Sequence, residues 1–164
     1  MTDSVQAYVS LGSNMGERAA NLLRGVRGMM DAGFQVSRLS NIYETEAVDV
    51  REQPRFLNLV AELRIESLSP EQTLARLLRI EYALGRRRKQ PRGPRTIDLD
   101  LLLYGDAQSD TDFLTLPHPR LHLRRFVLTP LAELAPALVH PTLHKTIKQL
   151  LAEVEDTSDV KRWS

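Results

Sequence analysis

From Phe56 to Ile65 the chain alternates at a strict period of two. Leu57, Leu59, Ala61, Leu63 and Ile65 share one face, and Phe56, Asn58, Val60, Glu62 and Arg64 share the other. Only a pleated strand sends successive side chains to opposite faces, so this segment commits the chain to a sheet with one wholly apolar side. Thr96 to Tyr104 repeats the pattern. Ile97, Leu99, Leu101 and Leu103 are directed to the core, and Asp98 and Asp100 to the opposite face. Gln6 to Leu11 reads as a third strand that breaks at Gly12-Ser13-Asn14, and Phe34 to Ala47 as a further extended stretch.

Between these segments the period becomes helical. Leu22, Leu23, Val26, Met29 and Met30 recur at three- and four-residue steps after Glu17, and Gly33 stands where a C-cap glycine belongs. Ser69-Pro70-Glu71-Gln72 supplies an N-cap, a proline at the first helical position and a capping-box glutamine. The helix it opens carries Leu74, Leu77, Leu78 and Leu84 and stops at Gly85. Gly105 to Asp112 reads as a polar, solvent-facing loop, Arg124 to Leu134 as a helix interrupted near Pro130, and Thr142 to Glu155 as a terminal helix. The order β-α-β-β-α-β-α predicts an α+β fold: a ferredoxin-like α/β sandwich whose mostly antiparallel sheet is flanked by helices, in a single domain over residues 1–164.

Composition narrows the function classes. Hydrophobic residues at 42% and charged residues at 26% exclude a disordered or collagenous chain. The absence of cysteine excludes a disulfide framework, a Cys zinc site and thiol catalysis. A formal net charge of +1 predicts no general attraction to polyanions, hence no nucleic-acid partner. Met1-Thr2-Asp3-Ser4 shows no secretory pattern and no apolar run reaches membrane-spanning length, so a cytoplasmic protein without a membrane partner is expected.

The chemistry concentrates in two neighbouring segments. Asp98 and Asp100 share a strand face with Cα atoms roughly 6.5–7 Å apart. Two carboxylates at that spacing repel unless a cation lies between them. Hard oxygen ligands favour Mg²⁺, and two are too few to cage it, so waters or phosphate oxygens must complete its shell. The alternative for this pair alone is a solvated strand face. Directly before it, Arg86-Arg87-Arg88-Lys89-Gln90-Pro91-Arg92-Gly93-Pro94-Arg95 holds six basic residues in ten, and its prolines and glycine forbid a continuous helix. A loop of guanidinium groups suits a polyphosphate; a basic surface patch is the alternative. Glu81 lies on the apolar stripe of its helix, where a carboxylate calls for a partner such as a loop arginine, unless it borders solvent at the helix end. His118, between Pro117 and Pro119, is held in an extended segment and could donate to a phosphate; a packing role is the alternative. His122, His140 and His144 lack metal-site spacing and read as surface or packing residues. No G-x-x-x-x-G-K-[ST] and no protein-kinase motif is present, and Gly12 to Gly16 is a weak anion-turn signal.

Taken together these segments resemble the 6-hydroxymethyl-7,8-dihydropterin pyrophosphokinases. The resemblance is carried by Leu11-Gly12-Ser13-Asn14, Tyr43-Glu44-Thr45, Gln53-Pro54-Arg55-Phe56-Leu57-Asn58, Gly93-Pro94-Arg95-Thr96-Ile97-Asp98-Leu99-Asp100, and Leu116-Pro117-His118-Pro119-Arg120 with Arg124-Arg125-Phe126. It spans about residues 6–140 in the family's order, and the G-P-R-T-I-D-L-D segment is its most specific part. It implies transfer of the terminal diphosphate of ATP to the hydroxymethyl group of a reduced pterin, with release of AMP, in folate biosynthesis. By similarity Asp98 and Asp100 hold two Mg²⁺ ions, and Arg86, Arg88, Arg95, His118 and Arg124 match positions that contact the phosphates of ATP. Thr45, Val48, Phe56, Asn58 and Phe126 match the pterin site, and a monomer is expected. The residues themselves agree in one respect: Phe56 and Asn58 share a strand face, as an aromatic platform and an amide for one flat ligand require.

The chain departs from the family at two positions. Arg92 stands where many members carry an aromatic residue, on a loop one residue shorter than in some, and Leu78 stands where some place a polar residue near the adenine. The Arg86 to Arg95 loop is expected to order when Mg-ATP and pterin bind. Two rival readings remain at this point: a nucleic-acid-binding module using that basic loop, and a Mg²⁺-dependent phosphohydrolase in which water replaces the pterin hydroxyl.

Overall fold

In a computed structural model, residues 3–46, 54–85 and 96–164 are described. The strands are β1 (Val5–Ser13), β2 (Gln35–Leu39), β3 (Tyr43–Thr45), β4 (Phe56–Ile65), β5 (Asp98–Tyr104), β6 (Ser109–Asp110), β7 (Thr115–Leu116) and β8 (Val160–Arg162). The helices are α1 (Arg18–Asp31), α2 (Pro70–Ala83), α3 (Arg125–Leu134) and α4 (Ile147–Glu153).

The main sheet has the order β5-β1-β4-β3-β8, and β2 pairs with the distal half of the flank of β4 that β3 occupies near Phe56. Every pairing among the described residues is antiparallel. Reading β2 and β3 as one interrupted strand gives the expected ferredoxin-like order around β1 and β4. The capping box also forms: Ser69 Oγ accepts the Gln72 N–H at 3.1 Å, and Gln72 Oε1 accepts the Ser69 N–H at 2.8 Å. Gly33 adopts φ +95° behind α1, where the Phe34 N–H reaches the Met29 carbonyl at 3.0 Å.

Two apolar layers sandwich the sheet. On one side α1 and α2 pack Leu22, Val26, Met29, Leu77 and Ile80 against Leu57, Leu59 and Leu63 of β4 and Val9 and Leu11 of β1. On the other, α3 and α4 pack Val127, Leu128, Leu131 and Ile147 against Tyr8, Val60, Leu102 and Leu103. Leu103 therefore lies opposite to the face expected of it. The pairing steps from Tyr8↔Leu103 to Val9↔Leu101, so Leu102 is an extra residue at a bulge that reverses the parity of β5.

Other expectations are corrected by tertiary context. Leu23 and Met30 of α1 are exposed, while Asn21 is buried in their place. In α2 the buried positions are Thr73, Leu77, Ile80 and Glu81, with Leu78 38% exposed. The 105–112 loop contains β6, which pairs with β7. Helix α3 runs unbroken through Pro130. The terminal helix is shorter than expected and begins behind Thr146, whose hydroxyl accepts the Gln149 N–H at 3.1 Å. No described helix is long and apolar enough to cross a membrane.

Candidate active site

Helices α3 and α4 pack over only part of their side of the sheet, and the candidate residues collect on the remainder. β1 supplies its axis. The expected break at Gly12-Ser13 is instead the last stretch of the strand, and Gly12 pairs with Asn58 on one side and Asp98 on the other. Two residues back, on the same face, Ser10 pairs with Val60 and Asp100. Neighbouring strands lie about 4.8 Å apart, so the Asn58 and Asp98 backbones are about 10 Å apart with a glycine between them. A Cβ at Gly12 would stand 2.8 Å from Asn58 Oδ1 and 3.6 Å from the Phe56 ring. Glycine is what lets the amide and the ring lie over β1.

Asp98 and Asp100 are both half-buried on β5, the edge strand, with Leu99 and Leu101 anchored in the apolar layer beneath. The outer edge of β5 is held by Glu81. This carboxylate is 5% exposed, and one of its oxygens accepts the Leu99 N–H at 2.6 Å. Burial excludes the solvent-bordering alternative for Glu81, and the Leu99 N–H is one partner of its carboxylate; the arginines of the basic loop lie outside the described residues. Among the described residues no group of three or more His, Asp or Glu side chains could hold a metal. The donor set at Asp98 and Asp100 therefore fits Mg²⁺ shared with substrate oxygens and does not fit a cage made by protein alone.

His118 follows a cis Leu116–Pro117 bond, and its N–H donates to the Leu102 carbonyl at 2.9 Å. Its Nδ1 accepts the Arg120 N–H at 3.1 Å, which puts the ring proton on Nε2 and makes that atom a donor. Burial first, then the nearby Arg124 and Arg120 charges, lower its pKa from the usual value to about 4, so the ring is neutral at physiological pH. A cavity of about 270 Å³ along the β5 edge joins Leu78, Glu81, Asp100, Thr115 and His118.

Arg124 is the N-cap residue of α3, and its guanidinium lies 5.5 Å from the centroid of the Phe126 ring. On the opposite side of the face, Thr45 lies directly across from Phe56 in the β3–β4 ladder. Thr45 and Asn58 are 1% and 3% exposed, and Thr45 Oγ1 and Asn58 Nδ2 have no hydrogen-bond partner among the described residues. Buried polar atoms are almost always paired, so two unpaired ones on adjacent strands beside an aromatic ring point to a missing ligand.

Of the sequence-predicted residues, the structure brings Thr45, Phe56, Asn58, Asp98 and Asp100 onto this one face, and His118 and Arg124 with Phe126 onto the segments bordering it. Arg86, Arg88, Arg95 and Val48 lie outside the described residues, as do Arg92 and the predicted ordering loop. Sequence reading passed over Arg18 and Asn21, which secure the rim. Arg18 pairs with Glu44 at 2.8 Å and donates to the Arg55 carbonyl at 2.8 Å, and Asn21 donates to the Met15 carbonyl at 2.8 Å. Asn21 thus fills the turn once considered for an anion. A buried asparagine on the apolar side of a helix was the available signal. His140, read as surface or packing, is buried, and His122 meets it edge-on with ring centroids 6.1 Å apart.

Residues 8–136 match the family described as 7,8-dihydro-6-hydroxymethylpterin-pyrophosphokinase. A Synechocystis protein named 2-amino-4-hydroxy-6-hydroxymethyldihydropteridine pyrophosphokinase is 44% identical over 153 residues, covering 93% of this chain and 77% of its own. A Bacillus subtilis protein of the same name is 43% identical over 129 residues, covering 78% of this chain and 77% of its own. Among solved structures, a Plasmodium falciparum HPPK-DHPS variant superposes with a TM-score of 0.73 at 15% identity. That match covers 93% of this chain and 46% of the Plasmodium one, so the present chain spans under half the length of its structural neighbour. Fold and family agree on the class, an ATP-dependent pyrophosphokinase. The chain belongs to the 7,8-dihydro-6-hydroxymethylpterin-pyrophosphokinase family of folate biosynthesis.

Proposed function

We propose that this chain transfers the diphosphate of ATP to 6-hydroxymethyl-7,8-dihydropterin on the part of its sheet that lies beyond α3 and α4. The observation that carries the reading is the pair of unpartnered buried groups, Thr45 Oγ1 opposite Phe56 and Asn58 Nδ2, the latter separated from Asp98 only by Gly12. A flat ligand with polar edges and a hydroxymethyl arm fits that distribution. Phe56 and Phe126 sandwich its ring and Thr45 and Asn58 read its edge; the family resemblance assigns Val48, outside the described residues, to the same ligand.

The nucleotide lies along the β5 edge, its base in the cavity bordered by Leu78 and its triphosphate toward Asp100. Leu78 offers apolar contact there in place of a polar one. Arg86, Arg88, Arg95 and Arg124 neutralise phosphate oxygens, and His118 donates from Nε2 without carrying charge. Asp98 and Asp100 would hold two Mg²⁺ ions, which when bound would neutralise charge on the polyphosphate. The pterin hydroxyl oxygen forms a bond to the β-phosphorus and releases its proton to solvent, and the bond from that phosphorus to the α–β bridging oxygen breaks, leaving that oxygen on AMP. Such transfer needs positioning and charge neutralisation more than covalent help from the protein.

The same reading has the protein act as a cytoplasmic monomer on these two small substrates, without nucleic acid or membrane; the near-zero net charge supports the nucleic-acid part, and sedimentation tests the monomer. The experiment for the reaction is product identification with Mg²⁺, ATP and the pterin. AMP formed only when pterin is present is the expected result. ADP and phosphate formed without it would replace this reading with a hydrolase.

A further inference from the structure

Residues 156–163 follow α4 and join neither apolar layer. Ordering a segment of this length costs backbone entropy that its contacts must offset. Yet it is fixed at both ends, and each end meets one side of the acceptor pocket. At the first, Asp156 Oδ2 accepts the N–H of Arg125 at 3.0 Å, while its Oδ1 accepts the Ser158 N–H at 2.9 Å and the Ser158 hydroxyl. Arg125 stands between Arg124 and Phe126, so this bond fixes the start of α3 from which both side chains project. At the second, β8 pairs with β3 as Val160↔Thr45, Lys161↔Glu44 and Arg162↔Tyr43, and the Trp163 N–H donates to the Ile42 carbonyl at 2.8 Å. β3 has 3 residues and pairs with β4 on its other side, so β8 is what covers its remaining edge and holds Thr45 from behind.

We propose that this C-terminal strap positions the acceptor pocket by joining α3 to β3, with Asp156 as the positioning residue at the α3 end. The proposal rests on Thr45 and Phe126 being pterin residues, as argued above.

The ladder supplies a clean test. Antiparallel pairs alternate between bonded and non-bonded, so with Trp163 bonded to Ile42 the Lys161 N–H points at the Glu44 carbonyl. Lys161→Pro deletes that donor, whereas Lys161→Ala removes the same exposed side chain and keeps it. Lys161→Pro is expected to raise the KM for pterin about 10-fold while the KM for Mg-ATP stays within about twofold, and Lys161→Ala to match the parent. Asp156→Ala, which leaves the ladder intact, is expected to raise the pterin KM in the same selective way. Proline behaving like alanine at 161, both KM values rising together, or Lys161→Pro and Asp156→Ala both failing to fold would each overturn the proposal. Thr45→Val and Phe126→Ala test the underlying site. If they leave the pterin KM unchanged, the site reading fails; if they raise it and the strap variants do not, the strap alone fails.

Discussion

The two faces of the sheet are built from the same strands and treated in opposite ways. The α1–α2 face is sealed, with Leu22, Met29, Leu57, Leu63 and Leu77 all at 0–1% exposure. The α3–α4 face is sealed over Tyr8, Val60, Leu102 and Leu103, and beyond Ser10 it turns to Gly12, Asn58, Asp98 and Asp100. One face stores stability. The other leaves Thr45 Oγ1 and Asn58 Nδ2 without hydrogen-bond partners among the described residues, which costs stability in the protein by itself.

Substitutions on the two faces should therefore separate activity from stability. The largest effect is expected from Asp98→Ala and Asp100→Ala: loss of about 10³-fold or more in kcat/KM, with the thermal midpoint nearly unchanged, checked by AMP formation and calorimetry. Next, Leu77→Ala on the sealed face should cost about 2–5 kcal/mol in urea unfolding while the KM values of the folded fraction stay put. Unchanged stability there would break the contrast.

Thr45→Val sharpens it from the other side. Removing an unpartnered buried hydroxyl relieves a desolvation cost of about 1–3 kcal/mol, so the ligand-free protein should hold or gain stability as pterin binding weakens. A clear loss of stability would mean that the hydroxyl is satisfied in the free protein. Gly12→Ala is expected to weaken pterin binding by displacing the Asn58 amide, read by calorimetric titration. The smallest effect is in pH. His118 has a folded pKa near 4, below its unfolded value near 6.5, so the unfolded state binds more protons between those values. Its contribution is present above pH 6.5 and is lost as pH falls toward 4; burial of His140, with His122 and His144 adding to it, acts in the same direction. Urea unfolding at pH 7 and pH 5 should show the loss, and the His118 ring resonance should stay flat from pH 7.5 to 5.5.

Much of the site was legible because its residues broke local rules. Aspartates in a strand, a carboxylate on an apolar helix stripe and prolines around a histidine each stand out without coordinates. Gly12 was misread as the end of a strand because a missing side chain looks the same in a turn and in a close approach. Asp156 and β8 left no trace: three residues of strand pairing and one carboxylate under a helix start have no periodicity to detect.

What the sequence alone determined is whatever depends on near neighbours in the chain. The alternation of β4, the capping box of α2 and the shared face of Asp98 and Asp100 follow from steric and hydrogen-bonding preferences a few residues long. Tertiary structure decided what depends on distant partners. It set the bulge that turns Leu103 away from Leu101, the burial of Asn21 in preference to Leu23, the neutral state of His118, and the partner of Glu81. Each of these is a choice between local options that are nearly equal in energy, and only the packing of elements far apart in the chain separates them.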